Sequence, residues 1–367
     1  MSIRDDLPSI QGVAYLNTGT NGPMPRQAAA AMAAEVDRAV TQPRIGMPAY
    51  EHFFGLRDQA RGALARTVGA PEGELALTSS TTHGVGIVLS AMDWQPGDEV
   101  VTTTEEHQGL RSPLYVLRKR FEVDVIEAPA DEVAEHVTES TRMIAVSHVL
   151  WTTGRALDLQ ALAEAAHAAG ALLLVDGAQS VGAIAVNAPS SGADFYAFSG
   201  QKWLLGPQGT GGLWVSPDVI AGLWPAQSGY LNLQEGQVGL FREDAGRVDG
   251  GTLDTSVLAG IKAAIEWVES QPGGRAAWSE QIARNAAAAR ERLRNVPGLA
   301  LAEHDNEHAP LIAFTIETEP DSVALAGRLG ENGILTRSIP GTPWLRVSIG
   351  AWTTEDEVER LAQALTG

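Results

Sequence analysis

Three observations predict an α/β chain built on a doubly wound sheet. Apolar runs that read as strands recur at roughly 30-residue spacing between residues 77 and 215, with helical stretches between them. Two of them, from Met143 to Gly154 and from Leu172 to Asp176, are largely apolar and end in polar groups. That pattern marks parallel strands buried on both faces, with their C-terminal edge where such sheets bind ligands. At 367 residues the chain exceeds one small core and fits a large domain with a smaller companion.

Composition narrows the partners. The chain is 44% apolar and 19% charged, which is ordinary for a globular protein. Its net charge of -19 argues against nucleic acid, whose phosphates need a basic surface. There is no cysteine, hence no disulfide, thiolate metal ligand or thiol nucleophile. Arg4, Asp5 and Asp6 interrupt the start before any long apolar core, and no run approaches the ~20 apolar residues of a spanning helix. The expected location is therefore the cytoplasm, with no membrane partner.

Taken in order, residues 15–25 (Tyr-Leu-Asn-Thr-Gly-Thr-Asn-Gly-Pro-Met-Pro) form a turn-rich opening, with glycines where backbone must approach something closely. An alanine-rich helix from Arg26 to Val40 follows, then another from Tyr50 to Val68, stopped by Gly69. A short strand leads through Ser79, Ser80, Thr81 and Thr82 into an apolar helix. Hydroxyls and free N–H groups at a helix start make an anion site; one N-cap residue would suffice for capping alone, and here there are several. Gly84-Val85-Gly86 is no dinucleotide fingerprint, because Leu89 stands where the third glycine belongs. His107 ends the next strand, and His148 lies in the one after it. A helix from Asp158 to Ala169 then leads to the Asp176 strand.

Asp176 ends a buried strand, and a buried carboxylate needs a cationic partner, which a pyridinium nitrogen would supply. Capping of the following segment is the plainer reading, and the residue alone leaves both open. Lys202 lies between the apolar run to Phe198 and the Gly206–Gly209 turn, an unusual place for one of only 26 lysines and arginines. A surface loop lysine and a Schiff-base lysine, which would need partial desolvation and a neighbouring anion, are both compatible with it. The stretch from Gly206 to Gly212 passes into a strand, Leu213-Trp214-Val215, so the glycine turn does not cradle a nucleotide. A helix from Val257 to Gln271 opens the C-terminal part. His304, Glu307 and His308 spell a zinc-peptidase pattern, but Asp305, Asn306 and Pro310 make it a loop, so no metal is expected. Arg337 and Arg346 follow; a planar guanidinium suits a carboxylate bidentately. Thr354 and Glu357 form a capping box for the last helix.

Asp176-Gly177-Ala178-Gln179 followed by Ser199-Gly200-Gln201-Lys202 resembles the pyridoxal phosphate (PLP) enzymes of the class V aminotransferase, or cysteine desulfurase-like, family. The likeness runs from Tyr15 to the final helix. Residues 147–154 and 196–203 and the pair Arg337 and Arg346 are most similar to its cystine C-S lyase branch. The resemblance implies PLP fold type I: a mainly parallel seven-stranded sheet flanked by helices, plus a small α+β domain. It implies a segment at the active-site mouth (1–25), a PLP-binding domain (26–255) and a C-terminal domain (256–367).

By that match Lys202 is the Schiff-base lysine, Asp176 the pyridinium partner, Gln179 the ring-oxygen contact and His107 the stacking ring. Ser80, Thr81, Thr82, Ser199 and Gln201 hold the phosphate, and Gly251 with Thr252 reaches the neighbouring subunit's phosphate in a homodimer. Arg337 and Arg346 take the substrate carboxylate, with Asn17, His148 and Tyr230 as further substrate contacts. Two departures stand out: Gln201 replaces the family's usual histidine, and Gly229-Tyr230 lies where lyase relatives tend to carry tryptophan. Because desulfurases hand sulfur to a cysteine thiolate, a chain without cysteine cannot do so unaided. The expectation is β-elimination from cystine or an S-substituted cysteine. Alternatives are aminotransferase or isopenicillin-N-epimerase-like chemistry and, in another class, a non-catalytic PLP-fold binding protein.

Overall fold

A computed structural model describes residues 3–225, 227–234, 236–302 and 309–366. The expected loop reading of His304, Glu307 and His308 lies outside the described residues. The chain opens with β1 (Ala14–Tyr15), α1 (Arg26–Thr41) and α2 (Met47–Thr67). Helix α2 starts three residues before the expected Tyr50. Gly46, at φ 89°, is its N-cap and Pro48 falls in the first turn, where a missing N–H costs nothing.

The large layer alternates β2 (Leu75–Thr78), α3 (Thr81–Ala91), β3 (Glu99–Thr103), α4 (Gln108–Phe121), β4 (Asp124–Ala128), β5 (Thr141–Ser147), α5 (Leu159–Ala168), β6 (Leu172–Asp176), β7 (Phe195–Ser199) and β8 (Gly211–Val215). These strands form one seven-stranded sheet in the order β2-β8-β7-β6-β5-β3-β4. Pairing is parallel except at β8, which runs antiparallel to both neighbours. Every residue of β7 and β8 is buried, as expected of strands covered on both faces. Two apolar clusters fill the two faces: Val146, Val175, Phe198 and Ile261 lie in one, and Val88, Leu114, Leu174 and Leu213 in the other. The fold is therefore the α/β fold expected.

After the short α6 (Pro217–Ile220), α7 (Thr255–Glu269) packs along α1 and α2 and sends Leu258, Ile261 and Ile265 into the large core. Beyond it come α8 (Gly274–Arg294), β9 (Leu299–Leu301), β10 (Leu311–Ile316), α9 (Ser322–Glu331), β11 (Ile334–Leu335), β12 (Arg337–Ser338), β13 (Leu345–Ser348) and α10 (Glu355–Thr366). Strands β12-β13-β10-β9 make an antiparallel sheet with its own core of Phe314, Leu325, Val347 and Leu361. The N-terminal segment joins this part by pairing β1 with β11. At the start of α10, Glu357 accepts from the Thr354 N–H at 3.0 Å and Thr354 Oγ1 from the Glu357 N–H at 3.3 Å, the reciprocal box read in the sequence.

Candidate active site

The C-terminal ends of β5, β6 and β7 and the N-terminus of α3 surround a cavity of about 150 Å³. Its floor is Asp176, the last residue of β6, paired in register with Ser147 on β5 and Ala197 on β7. Asp176 is 5% exposed and accepts a hydrogen bond from the Ala178 N–H at 2.9 Å. Burial pushes its pKa up, while the Ala178 N–H and the Lys202 ammonium hold it down.

Lys202 enters from the turn after β7. The turn is fixed by Gly206 N–H donating to the Gly200 carbonyl and Gly200 N–H to the Thr210 carbonyl, each at 2.8 Å, and it closes through buried Leu205 in the left-handed region at φ 60°. A bulky residue there, even one unbranched at Cβ, costs of order 1 kcal/mol, so the surroundings enforce the turn. Part of the enforcement is the N-terminal segment. Gly22 N–H donates to the Gln201 carbonyl at 2.8 Å, and a Cβ at Gly22 would overlap the Lys202 carbonyl. The Lys202 amine lines the cavity with a pKa lowered to about 8, chiefly by burial and further by Arg346 and Arg337, with Asp176 opposing.

At the other end, Ser80 caps α3 by accepting from the His83 N–H at 3.1 Å, which leaves the Thr81 and Thr82 N–H groups pointing out of the helix start. Thr81 Oγ1, Ser199 Oγ and Gln201 Oε1 are buried beside them without a hydrogen-bond partner. His107 forms one wall. Its Nδ1 accepts from the Gly109 N–H at 2.9 Å, its ring meets Trp151 edge-on with centroids 4.9 Å apart, and burial lowers its pKa to about 4. The imidazole is therefore neutral and oriented. Gln179 also lines the cavity, but its amide is engaged: Nε2 donates to the Gly19 carbonyl at 2.8 Å and Oε1 accepts from Trp203 Nε1 at 2.9 Å. One Nε2 proton remains for a ligand oxygen.

Arg346 stands behind Trp151 in the cavity wall. It is 2% exposed, no carboxylate pairs with it among the described residues, and its Nε lacks a partner. Its one hydrogen bond runs from Nη1 to the carbonyl of Trp151, a cavity residue, at 2.5 Å. Burial first, and Arg337 second, press its pKa down to about 9, so it stays charged at neutral pH. Arg337 is its register partner across β12 and β13. A buried cation left without a counter-ion is an anion-binding site.

Other expected contacts stand elsewhere. His148 does not line the cavity: Ser147 faces it instead, and the His148 Nδ1 lies 2.6 Å from the Tyr196 hydroxyl, which also reaches Ser180 Oγ at 2.6 Å. Alternation along a strand end explains this, since only one of two successive side chains can face the ligand. Burial keeps His148 neutral, with a pKa of about 4. Asn17 is held at the segment junction, donating to the Thr336 carbonyl at 3.3 Å and accepting from Thr20 Oγ1 at 2.8 Å. Thr252 and Tyr230, hydroxyls 3.3 Å apart, line a different groove together with Tyr50 and Phe54, and Gly251 precedes Thr252 at φ 81°.

Ser147 was not among the expected site residues, nor was the burial of Glu106. Glu106 is 3% exposed and accepts from Thr103 Oγ1, the Ser147 N–H and Ser147 Oγ at 2.9, 2.9 and 2.5 Å. Burial, with the Asp176 charge adding, raises its pKa to about 7. The alternating polar ends of β3 and β5 carried the signal for both.

An amine of lowered pKa, a buried carboxylate, a helix start with orphaned hydroxyls and an unpaired arginine together fit PLP: an aldehyde, a ring nitrogen, a phosphate and an amino-acid carboxylate. The fold and cavity thus define a PLP-dependent enzyme. The chain belongs to the class-V aminotransferase family, whose model matches residues 14–361. It is 32% identical over 285 aligned positions to a probable cysteine desulfurase of Methanothermobacter thermautotrophicus, covering 72% of this chain and 69% of that one. It is 30% identical over 385 aligned positions to an isopenicillin N epimerase of Streptomyces clavuligerus, covering 96% and 94%. Among solved structures it is similar to the cystine C-S lyase C-DES in complex with its reaction product cysteine persulfide, at 27% identity and TM-score 0.93 over 98% of this chain and 99% of that one. A C-DES mutant with glycine covalently linked to the PLP cofactor superposes with TM-score 0.94 at 26% identity, over 100% and 99%.

Proposed function

We propose that this enzyme cleaves a C–S bond by β-elimination from cystine or an S-substituted cysteine, releasing pyruvate and ammonia. The observation that carries the reading is the whole-length similarity to a cystine C-S lyase in a chain that has no cysteine of its own to receive sulfur. Bound PLP supplies an electron sink that acidifies the substrate's Cα–H. Lys202 would hold the cofactor's aldehyde carbon, and its free amine would take the Cα proton on Nζ; its lowered pKa suits both tasks. Asp176 holds the ring-nitrogen proton, and His107 keeps the ring plane without exchanging a proton. Ser80, Thr81, Thr82, Ser199 and Gln201 hold the phosphate. Gln179 offers its free N–H to the ring oxygen. Arg346, with Arg337, takes the substrate carboxylate, which orients Cα over the Lys202 amine. The Cβ–S bond then breaks with its electron pair on sulfur, and water converts the unsaturated amino acid to pyruvate and ammonia.

We further propose a cytoplasmic homodimer with shared sites, the location being carried over from the sequence expectation. Support for the dimer comes from Thr252 and Tyr230, which lie on a groove apart from Lys202. Apolar side chains line that groove in view of solvent: Val40 is 81% and Tyr50 54% exposed. Each subunit is read as a mouth segment (1–25), a PLP-binding domain (26–255) and a small domain (256–367), with α7 joining the last two.

The similarity to an isopenicillin N epimerase over 96% of the chain favours one other reading, epimerisation or transamination at Cα, which begins with the same proton transfer. Incubation with cystine, S-substituted cysteines and ordinary amino acids separates them. Elimination gives pyruvate from sulfur amino acids. Loss of optical rotation without pyruvate, or cofactor left as its amine until a keto acid restores it, would replace elimination by epimerisation or transamination.

A further inference from the structure

The loop that carries Gly251 and Thr252 is fastened by a buried ion cluster that uses none of the cavity residues. Asp249, 3% exposed, accepts from Arg57 Nη2 at 2.8 Å and from Arg61 Nη1 and Nη2 at 3.1 and 2.7 Å. Its Oδ1 also takes the Leu77 N–H at 2.7 Å, while Gly250 N–H donates to the Leu77 carbonyl at 2.9 Å, so the loop is stitched to β2. Arg57 completes the fastening: its Nη1 donates to the Gly251 carbonyl at 3.1 Å, one residue before Thr252. Asn232 Nδ2 adds a bond to the Asp249 carbonyl at 3.2 Å. Two guanidinium groups on α2, one carboxylate and a strand edge thus converge on a stretch whose next residue offers its hydroxyl to the outer groove.

Taking two arginines and an aspartate out of water is expensive, and surface loops are ordinarily left to water. Here the cost is met by six donors on the Asp249 carboxylate and the Asp249 and Gly251 carbonyls, which fixes an intrinsically permissive glycine pair. Gly251 itself sits at φ 81°, so the left-handed step that turns Thr252 outward depends on glycine and on the Arg57 contact to its carbonyl.

We infer that Arg57, Asp249 and Arg61 are positioning residues that act in trans, holding the Gly251–Thr252 loop ready for the PLP phosphate of the partner subunit. This rests on the shared-site reading above. The cluster touches neither cofactor nor substrate; it sets the angle and rigidity with which one subunit completes the other's anion site.

Mixed dimers test it. In a dimer of a Lys202→Ala subunit with an Arg57→Gln subunit, the one lysine-bearing site receives an intact loop, and we expect native cofactor affinity. In a dimer of the double variant Lys202→Ala/Arg57→Gln with a wild-type subunit, the lysine-bearing site receives a loosened loop. There PLP should bind about tenfold more weakly, the loss of one charge-assisted contact, read by fluorescence titration of the cofactor-free dimers. Asp249→Asn, which keeps an acceptor for Leu77, serves in the same arrangements if Arg57→Gln does not fold. The reverse pattern, with the first dimer weakened and the second native, overturns the inference. So does equal affinity in both. Thr252→Ala in the same two arrangements isolates the underlying reading: if its effect also stays within its own subunit, the shared site is wrong; if it acts in trans while the arginine variants do not, only the clamp is wrong. A last readout needs no variant. The Gly250 amide of the cofactor-free wild-type dimer, which donates to the Leu77 carbonyl, should exchange hydrogen as slowly as those of β2, and fast exchange would overturn a preset loop.

Discussion

Replacing Arg346 by methionine should make the protein more stable and nearly unable to use its substrate. Among the described residues the buried guanidinium makes one hydrogen bond and has no carboxylate partner, and its pKa is pressed down from the ordinary arginine range to about 9. That gap corresponds to roughly 5 kcal/mol against the charged form at neutral pH, an upper bound that local relaxation reduces to about 2–3 kcal/mol. Because the folded state binds the proton more weakly than the unfolded one, the penalty is present in full below pH 9 and is relieved only as pH rises from about 9 towards the ordinary arginine range. Methionine removes the penalty and fills similar volume, but loses the bond to the Trp151 carbonyl, worth about 1 kcal/mol. The net gain is about 1–2 kcal/mol, a rise of roughly 2 °C in the unfolding temperature for a chain of this size. Binding moves the other way. Loss of a buried, charge-assisted carboxylate contact costs about 2–4 kcal/mol, a fall of roughly 30- to 1000-fold in kcat/KM. Differential scanning calorimetry and steady-state pyruvate release read both. A lower unfolding temperature together with native kcat/KM would show that Arg346 is structural and refute the carboxylate assignment.

Asp176→Asn should retain cofactor through its phosphate while cutting kcat by at least about a hundredfold, since the ring-nitrogen proton loses its counter-charge; turnover within threefold of wild type would reduce Asp176 to a structural role. Capture of PLP by the cofactor-free protein should accelerate with pH and level off above about 8. The neutral fraction of Lys202 is then about one in ten at pH 7, against about one in three thousand for an ordinary lysine at 10.5. A rate still climbing steeply at pH 9.5 would contradict the lowered pKa. Gly22→Ala should weaken PLP retention and lower stability by about 1–3 kcal/mol, because its Cβ would collide with the Lys202 carbonyl; native absorbance and melting would show that the segment need not pack this closely.

Much of this was legible because it depends on local pattern. Leu172–Asp176 could be read as a doubly covered strand ending at a ligand because both faces demand apolar side chains and only the edge tolerates a carboxylate. The capping box at Thr354 and Glu357 is equally local. Direction and facing were not legible. Nothing in Gly211–Val215 announces that β8 runs against its neighbours. At the end of β5 the choice between Ser147 and His148 depends on where alternation resumes after the strand, and the histidine, chemically the more suggestive, turned out to face Tyr196. The Asp249 cluster was invisible for another reason. Its partners lie 188 and 192 residues away on α2, where Arg57 and Arg61 look like ordinary charges on an exposed helix face.

The central claim is that Lys202 is the attachment point of PLP, and the absorbance of the Lys202→Ala protein reconstituted with PLP tests it most directly. Wild-type protein should be yellow, with a visible band that borohydride reduction fixes covalently to the peptide containing residue 202. The Lys202→Ala protein should lose that band and all turnover while its fold and melting are retained. A band and pyruvate release undiminished in the variant, or borohydride labelling at another lysine, would contradict the account.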